Sequence, residues 1–120
     1  MTAKPTPCAQ NPGCAPNPLA PLNDAFRRHA CGGTLIVTAG VIALGTTALP
    51  TIVGLVQAFE AFTPDNDPYG EHDFGSLEWH RNRLFWKIDY YDCDMRFGSP
   101  NPLDPAVTTR VLTIMLASEY

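Results

Sequence analysis

The residue types best suited to chemistry meet in one polar stretch, where His72 stands between two acids, Glu71 and Asp73. An imidazole oriented by a carboxylate can act as a general acid or base near neutral pH. Adjacent side chains of an extended chain point in opposite directions, however, so neither acid need touch the ring. Turn-forming hydrogen bonds to the backbone explain His72 and Asp73 equally well. A small hydrolase or metal-dependent enzyme using His72 with Asp73 or Glu71 is therefore the alternative prediction.

Metal-ligating residue types are present, but their spacing favours no site. The run Asp65-x-Asp67-x-Tyr69 resembles the start of a calcium loop, yet Tyr69 stands where an Asp or Asn is expected and Ser76 where a bidentate Glu belongs. No C-x-x-C pair suggests structural zinc. Transition metals bind imidazole and carboxylate, so the sequence leaves open a metal site formed by His72, His80, Asp73 and Asp92. No spacing between these residues favours such a site. The sequence predicts no metal and no cofactor.

Nucleophiles and phosphate-binding loops give no signal either. Cys93 lies between Asp92 and Asp94, two acids that disfavour a reactive thiolate. The pair Gly32-Gly33 lacks both the spacing and the Lys of a phosphate-binding loop. An enzyme is therefore the less favoured class.

Charge is the stronger signal. Residues 60–78, called the acidic segment below, contain six acids and no Lys or Arg, in a chain of net charge −4. That balance disfavours direct nucleic-acid binding, which depends on phosphate neutralisation. A solvated acidic loop is the plain interpretation; the sharper one is a surface that meets a basic protein. The predicted partner-binding residues are Asp65, Asp67, Tyr69, Glu71, Asp73, Phe74 and Glu78.

The elements that must position this segment begin with two helices and a strand. Asn23 or Asp24 predicts an N-cap for a short helix over residues 25–29. The run Leu35–Thr38 is typical of a buried strand. Pro50 suits the first turn of a core helix of about twelve residues. Its apolar stripe consists of Ile52, Leu55, Val56, Phe59 and Phe62.

The stretch between Arg28 and Glu60 carries no charged residue, which raises the question of a membrane span. Five threonines, several glycines and Pro50 interrupt it, and no basic cluster follows it. We therefore expect no membrane insertion.

The second half of the chain predicts strands. Residues 77–79 form a short strand, and residues 84–91 alternate so that Leu84, Trp86, Ile88 and Tyr90 share one face. Asp104-Pro105 signals a helix start and predicts a C-terminal helix over 105–118. A strand over residues 111–116, rich in Val, Thr and Ile, is the competing prediction. Together these elements predict a small α+β domain, with an antiparallel sheet of three to four strands packed against two to three helices.

The N-terminal residues are expected to stay outside that domain. Residues 1–18 are a Pro-rich leader predicted to be disordered, and residues 19–120 are predicted to form the single domain. No secretory signal is evident. The four cysteines, Cys8, Cys14, Cys31 and Cys93, are too scattered for a disulfide framework, so free thiols and a cytoplasmic location are expected.

Four stretches resemble an uncharacterised family of small, mainly alphaproteobacterial proteins: residues 22–27 (LNDAFR), 65–75 (DNDPYGEHDFG), 85–92 (FWKIDYYD) and 110–120 (RVLTIMLASEY). The resemblance spans about residues 19–120. That family is a domain of unknown function often found on plasmids and phages, so the resemblance implies a cytoplasmic protein of mobile genetic elements. It implies no reaction and no catalytic residues.

The predicted function joins this setting to the charge pattern. It is a non-enzymatic protein-binding module that presents an acidic surface to a basic, nucleic-acid-binding partner. An anti-CRISPR or anti-restriction inhibitor is its concrete form. A structural or regulatory subunit of the same kind of element is a plainer alternative. The sequence predicts no oligomeric state.

Overall fold

The computed structural model describes residues 17–29 and 32–120. In this part of the chain, four strands form one sheet with three helices, which confirms the small α+β fold. The elements are α1 (Leu19–His29), β1 (Gly33–Val37), α2 (Ala39–Ile42), α3 (Ala48–Gln57), β2 (Phe74–Trp79), β3 (Asn82–Tyr91) and β4 (Thr109–Leu116), followed by a 3-10 turn (Ala117–Glu119). The strand order across the sheet is β1-β4-β3-β2.

The core lies between the helices and one face of the sheet. The predicted alternation of β3 is confirmed, because Leu84, Trp86 and Ile88 are buried on that face. Burial of such apolar side chains is the main stabilising contribution to the fold. They pack with a set from the helices and β4 that consists of Phe26, Val41, Ala48, Ile52, Val56, Leu112 and Ile114.

A glycine makes room for the largest core side chain. Gly75 of β2 pairs with Trp86 of β3. A Cβ atom at position 75 would overlap the indole ring of Trp86, so only glycine allows the ring to lie flat against β2.

The predicted C-terminal helix over 105–118 is wrong, and the competing strand is correct. Asp104 does bond to the backbone, since its Oδ1 accepts from the Ala106 N–H at 2.9 Å, but this closes a turn rather than starting a helix. From Thr109 the chain runs as β4 between β3 and β1. The β-branched residues of this stretch fit a strand with neighbours on both sides.

The sheet is mixed rather than purely antiparallel as predicted. β4 pairs antiparallel with β3, but β1 runs parallel to β4, in register from Gly33 opposite Arg110 to Val37 opposite Ile114. β1 was also expected to be a buried strand. It is an edge strand instead, and Leu35 and Ile36 keep 42% and 44% of their surface exposed.

The helices differ from their predicted bounds. α1 begins at Leu19, one full turn before the predicted caps, so Asn23 and Asp24 lie inside the helix. α3 contains Pro50 near its start, as predicted, and ends at Gln57. Phe59 and Phe62 of the predicted stripe therefore lie beyond the helix, although they still pack against the core.

The C-terminal turn is attached to the start of α2. Glu119 accepts hydrogen bonds from the Thr38 hydroxyl at 2.6 Å, the Leu116 N–H at 2.8 Å and the Gly40 N–H at 3.0 Å. The Thr38 and Leu116 bonds hold the pKa of Glu119 below its ordinary value. These bonds fix the turn that follows β4 beside the start of α2.

Two predictions fall largely outside the described residues. The leader 1–18 lies outside the described residues except for Asn17 and Pro18. Cys8, Cys14 and Cys31 also lie outside them, whereas Cys93 is a free, exposed thiol. No helix in residues 17–29 and 32–120 has the length and apolar character needed to span a bilayer.

Candidate functional site

The acidic segment turns sharply soon after α3. The Thr63 N–H donates to Asn66 Oδ1 at 2.9 Å, and the Asn66 N–H donates to Thr63 Oγ1 at 3.3 Å. Asn66 Nδ2 also donates to the Ala61 carbonyl at 3.0 Å. Short polar side chains that bond to nearby backbone favour turns over helix, so the chain leaves the direction of α3 at this point.

Asp67 holds the next turn from inside. Only 3% of it is exposed. Its N–H donates to the Thr63 carbonyl at 2.8 Å, its carbonyl accepts from Gly70 at 3.1 Å, and its Oδ1 accepts from the His72 N–H at 3.2 Å. His72 has a φ of +58°, a left-handed conformation that a non-glycine residue adopts only where its surroundings hold it. Asp67 provides that hold.

The His72 ring lies between two carboxylates. Its Nδ1 is 3.0 Å from both carboxylate oxygens of Asp24 on α1. Its Nε2 faces Asp67 Oδ2 at 3.6 Å, and both of these atoms are buried without a hydrogen bond. The ring stacks on Phe62 with parallel planes and 3.9 Å between centroids. His72 therefore connects the acidic segment to α1.

Arg27 makes a second connection from α1. It is fully buried, and its guanidinium donates to the Val56 carbonyl at 3.1 Å, the Phe59 carbonyl at 2.8 Å and Asp24 Oδ1 at 3.3 Å. The guanidinium carbon also lies 5.0 Å from the centre of the Trp86 ring. Burial lowers the pKa of Arg27, yet the side chain stays charged because its ordinary value is so high. These partners are what a buried cation requires.

Asp24 joins these two connections. Burial alone would raise the pKa of its carboxyl, but the hydrogen bond with His72 and the charge of Arg27 outweigh burial and hold that pKa below its ordinary value. The Asp24 carboxylate is therefore stabilised in its charged form by the fold.

A further hydrogen-bonded group extends the contact to β3 and β4. Asn23 Nδ2 lies 3.0 Å from the Glu71 carbonyl and 2.8 Å from the Tyr90 hydroxyl, and that hydroxyl donates to Glu71 Oε1 at 2.8 Å. Arg110 Nε donates to Asn23 Oδ1 at 2.9 Å. Burial raises the pKa of Tyr90 above its ordinary value. We call the whole connected set the polar junction; it consists of Asn23, Asp24, Arg27, Asp67, Glu71, His72, Tyr90 and Arg110.

Asp73, which follows the junction, carries unneutralised charge. Burial, followed by the neighbouring charges of Glu71 and Asp67, raises the pKa of its carboxyl to about 6. Negative charge from Glu71, Asp67 and Asp89 is thus concentrated around this carboxyl.

The structure divides the predicted partner-binding residues into two groups. Asp65, Tyr69 and Glu78 are exposed, and Tyr69 keeps 70% of its surface accessible. The other four point inward to different degrees: Asp67 is buried, whereas Glu71, Asp73 and Phe74 are half-buried. Phe74 lies outside the junction, in an aromatic cluster with Phe85 and Tyr120 on the other face of the sheet.

The weak catalytic candidates are not arranged for acid–base work. His72 contacts Asp24 and Asp67, and within residues 17–29 and 32–120 its ring makes no hydrogen bond to Glu71 or Asp73. Because Nε2 is buried, a substrate has no direct access to it. The same stretches contain no cluster of three or more metal-ligating side chains. The geometry thus gives the junction a positioning role.

Sequence reasoning missed five junction residues: Asn23, Asp24, Arg27, Tyr90 and Arg110. The sequence favours Asn23 and Asp24 as helix caps and places Tyr90 on the apolar face of its strand. One signal was available, because an amphipathic helix that begins at Leu19 places Asn23, Phe26 and Arg27 on one face. No local pattern could show that Asp24 meets His72 across 48 positions of sequence.

Comparison with known proteins identifies a family. No curated protein and no solved structure matches the chain. The model of a family described as "protein of unknown function (DUF3768)" matches residues 37–119, a segment that includes β2, β3 and β4 but only the last residue of β1, and that leaves α1 outside. The chain therefore belongs to the DUF3768 family.

Proposed function

We propose that the protein is a non-enzymatic binding module whose acidic segment docks on a basic protein surface. The observation that carries this proposal is the contrast between the two sides of the segment. Its inner side is fixed by the polar junction, while Glu60, Asp65, Tyr69 and Glu78 of the same segment are exposed. A surface held in place before binding loses less conformational entropy when it docks.

Charge supports a basic partner. The acidic segment contains six acids and no Lys or Arg. Glu78 pairs with Arg83 at 3.0 Å and Glu60 with Arg28 at 3.9 Å, both in exposed positions where such pairs contribute little energy. Within residues 17–29 and 32–120, no ion pair joins Asp65 or half-buried Asp73 to a cation. Complementary charge of this kind raises association rates and selects partners, and an exposed Tyr is a common anchor of an interface.

The finer form of the proposal names the partner's class. A protein surface that binds nucleic acid is rich in Lys and Arg, and an acidic protein can occupy it in place of phosphates. The resemblance of the sequence to small proteins of plasmids and phages favours a CRISPR or restriction complex as the partner. The module then acts as an anti-CRISPR or anti-restriction inhibitor.

Affinity purification from the native host tests the proposal. Wild-type protein is compared with a charge-reversal variant, Glu60→Lys with Asp65→Lys, and with a matched control, Asp94→Lys, which alters an exposed acid outside the segment. We expect wild type and control to retain a basic nucleic-acid-binding protein that the double variant loses. Binding of that purified partner is then measured with each variant.

Two results would contradict the proposal. One is equal retention of the partner by the double variant, which moves the interface elsewhere. The other is a turnover activity in the purified protein that His72→Ala abolishes while circular dichroism shows an intact fold, which supports the enzyme alternative.

A further inference from the structure

β1 offers an uncovered edge of the sheet. Among the described residues no strand lies beyond it. The Thr38 N–H donates to the Ile114 carbonyl at 3.1 Å, so alternate residues of the strand direct their backbone groups toward β4. The backbone N–H and C=O groups of Gly33, Leu35 and Val37 therefore point outward, where another strand would bond to them.

The usual protections of an edge strand are missing from β1. Edge strands commonly carry Lys, Pro or a bulge that prevents pairing with another chain. β1 (GTLIV) contains neither residue, and it pairs with β4 one-to-one without a bulge. Its apolar side chains are exposed on both faces, Leu35 at 42% and Ile36 at 44%. Positions 29–59 around it contain no charged residue.

We propose that β1 pairs antiparallel with β1 of a second copy of the same chain, about a two-fold axis at Leu35. This register places Leu35 opposite Leu35 of the partner subunit and Gly33 opposite the partner's Val37. Every outward donor and acceptor of the strand then has a counterpart, as in an antiparallel ladder. A two-fold contact of this type closes on itself and does not extend into a fibre.

Side-chain shape agrees with that register. A Cβ atom at Gly33 would overlap the Phe26 ring and the Arg110 carbonyl, so only glycine fits here, and in the proposed register it places no side chain beside the partner's Val37. Beside it, a groove between β1 and α3 is lined by Leu35, Val53 and Gln57. This groove is open to Leu35 of the partner subunit.

Charge selects a second copy as the occupant. Each chain has a net charge of −4, so two copies repel wherever their acids face each other. The side chains of β1 carry no charge, and the acidic segment leads into the opposite edge of the sheet, so two copies that pair through β1 keep their acidic segments apart. A strongly charged partner would instead lose hydration there and gain no opposite charge.

The dimer would change how the proposed binding surface is used. β1 and β2 are opposite edges of the sheet, and the acidic segment leads into β2. Pairing through β1 therefore gives a continuous sheet with one acidic segment near each end. Such a dimer presents two copies of the segment, and simultaneous docking of both raises overall affinity.

Light scattering coupled to size exclusion tests the proposal in reducing buffer, which excludes intermolecular disulfides. We expect the wild type to have twice the 13.1 kDa mass of the chain. Leu35→Lys and Ile36→Lys place a charge on opposite faces of β1 and should each return the mass to that of one chain. The matched control is Leu103→Lys, a loop leucine with 44% exposure, which should remain dimeric.

Amide hydrogen exchange on the wild type needs no variant. The amides of Leu35 and Val37 should exchange more slowly as protein concentration rises, whereas the amide of Ile36 faces β4 and should not respond. The proposal is overturned by a wild type that stays monomeric at every concentration, by a folded Leu35→Lys variant that stays dimeric, or by exchange at Leu35 that is independent of concentration.

Discussion

At the scale of single residues, Asp73 links electrostatics to stability. Burial, Glu71 and Asp67 raise the pKa of its carboxyl from 3.8 in a model compound to about 6 in the fold. The folded state therefore holds a proton that the unfolded chain releases at lower pH. The stability contributed by this group is fully present below about pH 4 and is lost as the pH rises through about 6.

Replacing Asp73 with Asn should remove this pH dependence, because the amide resembles the neutral acid at every pH. We expect Asp73→Asn to be more stable than wild type near neutral pH by up to about 3 kcal/mol. Below about pH 4 the two proteins should have equal stability. The measurement is urea unfolding at both pH values, with exposed Asp65→Asn as the control that changes neither. Destabilisation of Asp73→Asn at neutral pH would show that the fold needs the charged carboxylate.

His72 shows what residue-level reasoning could and could not find in the sequence. The sequence marks His72, between Glu71 and Asp73, as a candidate, but it does not identify the partners of the imidazole ring. The ring bonds to Asp24 rather than to either chain neighbour. Adjacent residues are visible in a sequence, whereas contacts across the fold depend on how α1 docks. The burial of Asp67 was missed for the same reason.

At the scale of elements, α1 belongs to the core although the family match begins at residue 37. Its Phe26 is 5% exposed and packs into the same apolar cluster as α3 and the sheet. Its Asn23, Asp24 and Arg27 hold the acidic segment from the other side. Without α1, the carbonyls of Val56 and Phe59 and the ring of His72 would lose their partners.

The prediction for α1 compares two positions on the same helix. Phe26→Ala should lower the free energy of unfolding by about 3–5 kcal/mol, since it leaves a cavity in the core. Leu22→Ala removes a side chain that is 37% exposed and should cost less than about 1 kcal/mol. The measurement for both variants is the free energy of unfolding in urea, monitored by tryptophan fluorescence. Similar losses at the two positions would mean that α1 is not packed as described.

Element types were predictable where the local pattern allowed only one interpretation. The alternation in β3 and the helix around Pro50 were such cases, and both are confirmed. The residues of β4 fit a helical face and a strand equally well, and the Asp104-Pro105 signal favoured the wrong one. What decides is the position of β4 between β1 and β3, where its β-branched side chains are buried on both faces. That is tertiary information, and no local pattern contains it.

At the scale of the whole molecule, the acidic segment and the uncharged strand β1 are connected to opposite edges of the sheet. The acidic segment leads into β2, and the charge-free stretch contains β1. The proposed contacts of these two surfaces should therefore respond differently to salt. Added salt screens charges that stay exposed to water. It has little effect on backbone hydrogen bonds between apolar strands.

Salt titration distinguishes the proposed contact of the acidic segment from the proposed contact of β1. Raising ionic strength from about 0.01 M to about 1 M shortens the screening length from about 30 Å to about 3 Å. Binding of wild-type protein to immobilised poly-lysine, measured by surface plasmon resonance, should weaken by at least about tenfold over this range. The mass measured by light scattering should stay constant. Glu60→Lys with Asp65→Lys should reduce the low-salt binding and leave the mass unchanged. Leu35→Lys should lower the mass to that of one chain, and it should weaken binding only by the amount that simultaneous docking of two acidic segments contributes. Poly-lysine binding that is insensitive to salt would exclude charge as the basis of recognition, and a mass that falls with salt would assign the dimer to ion pairs rather than to β1.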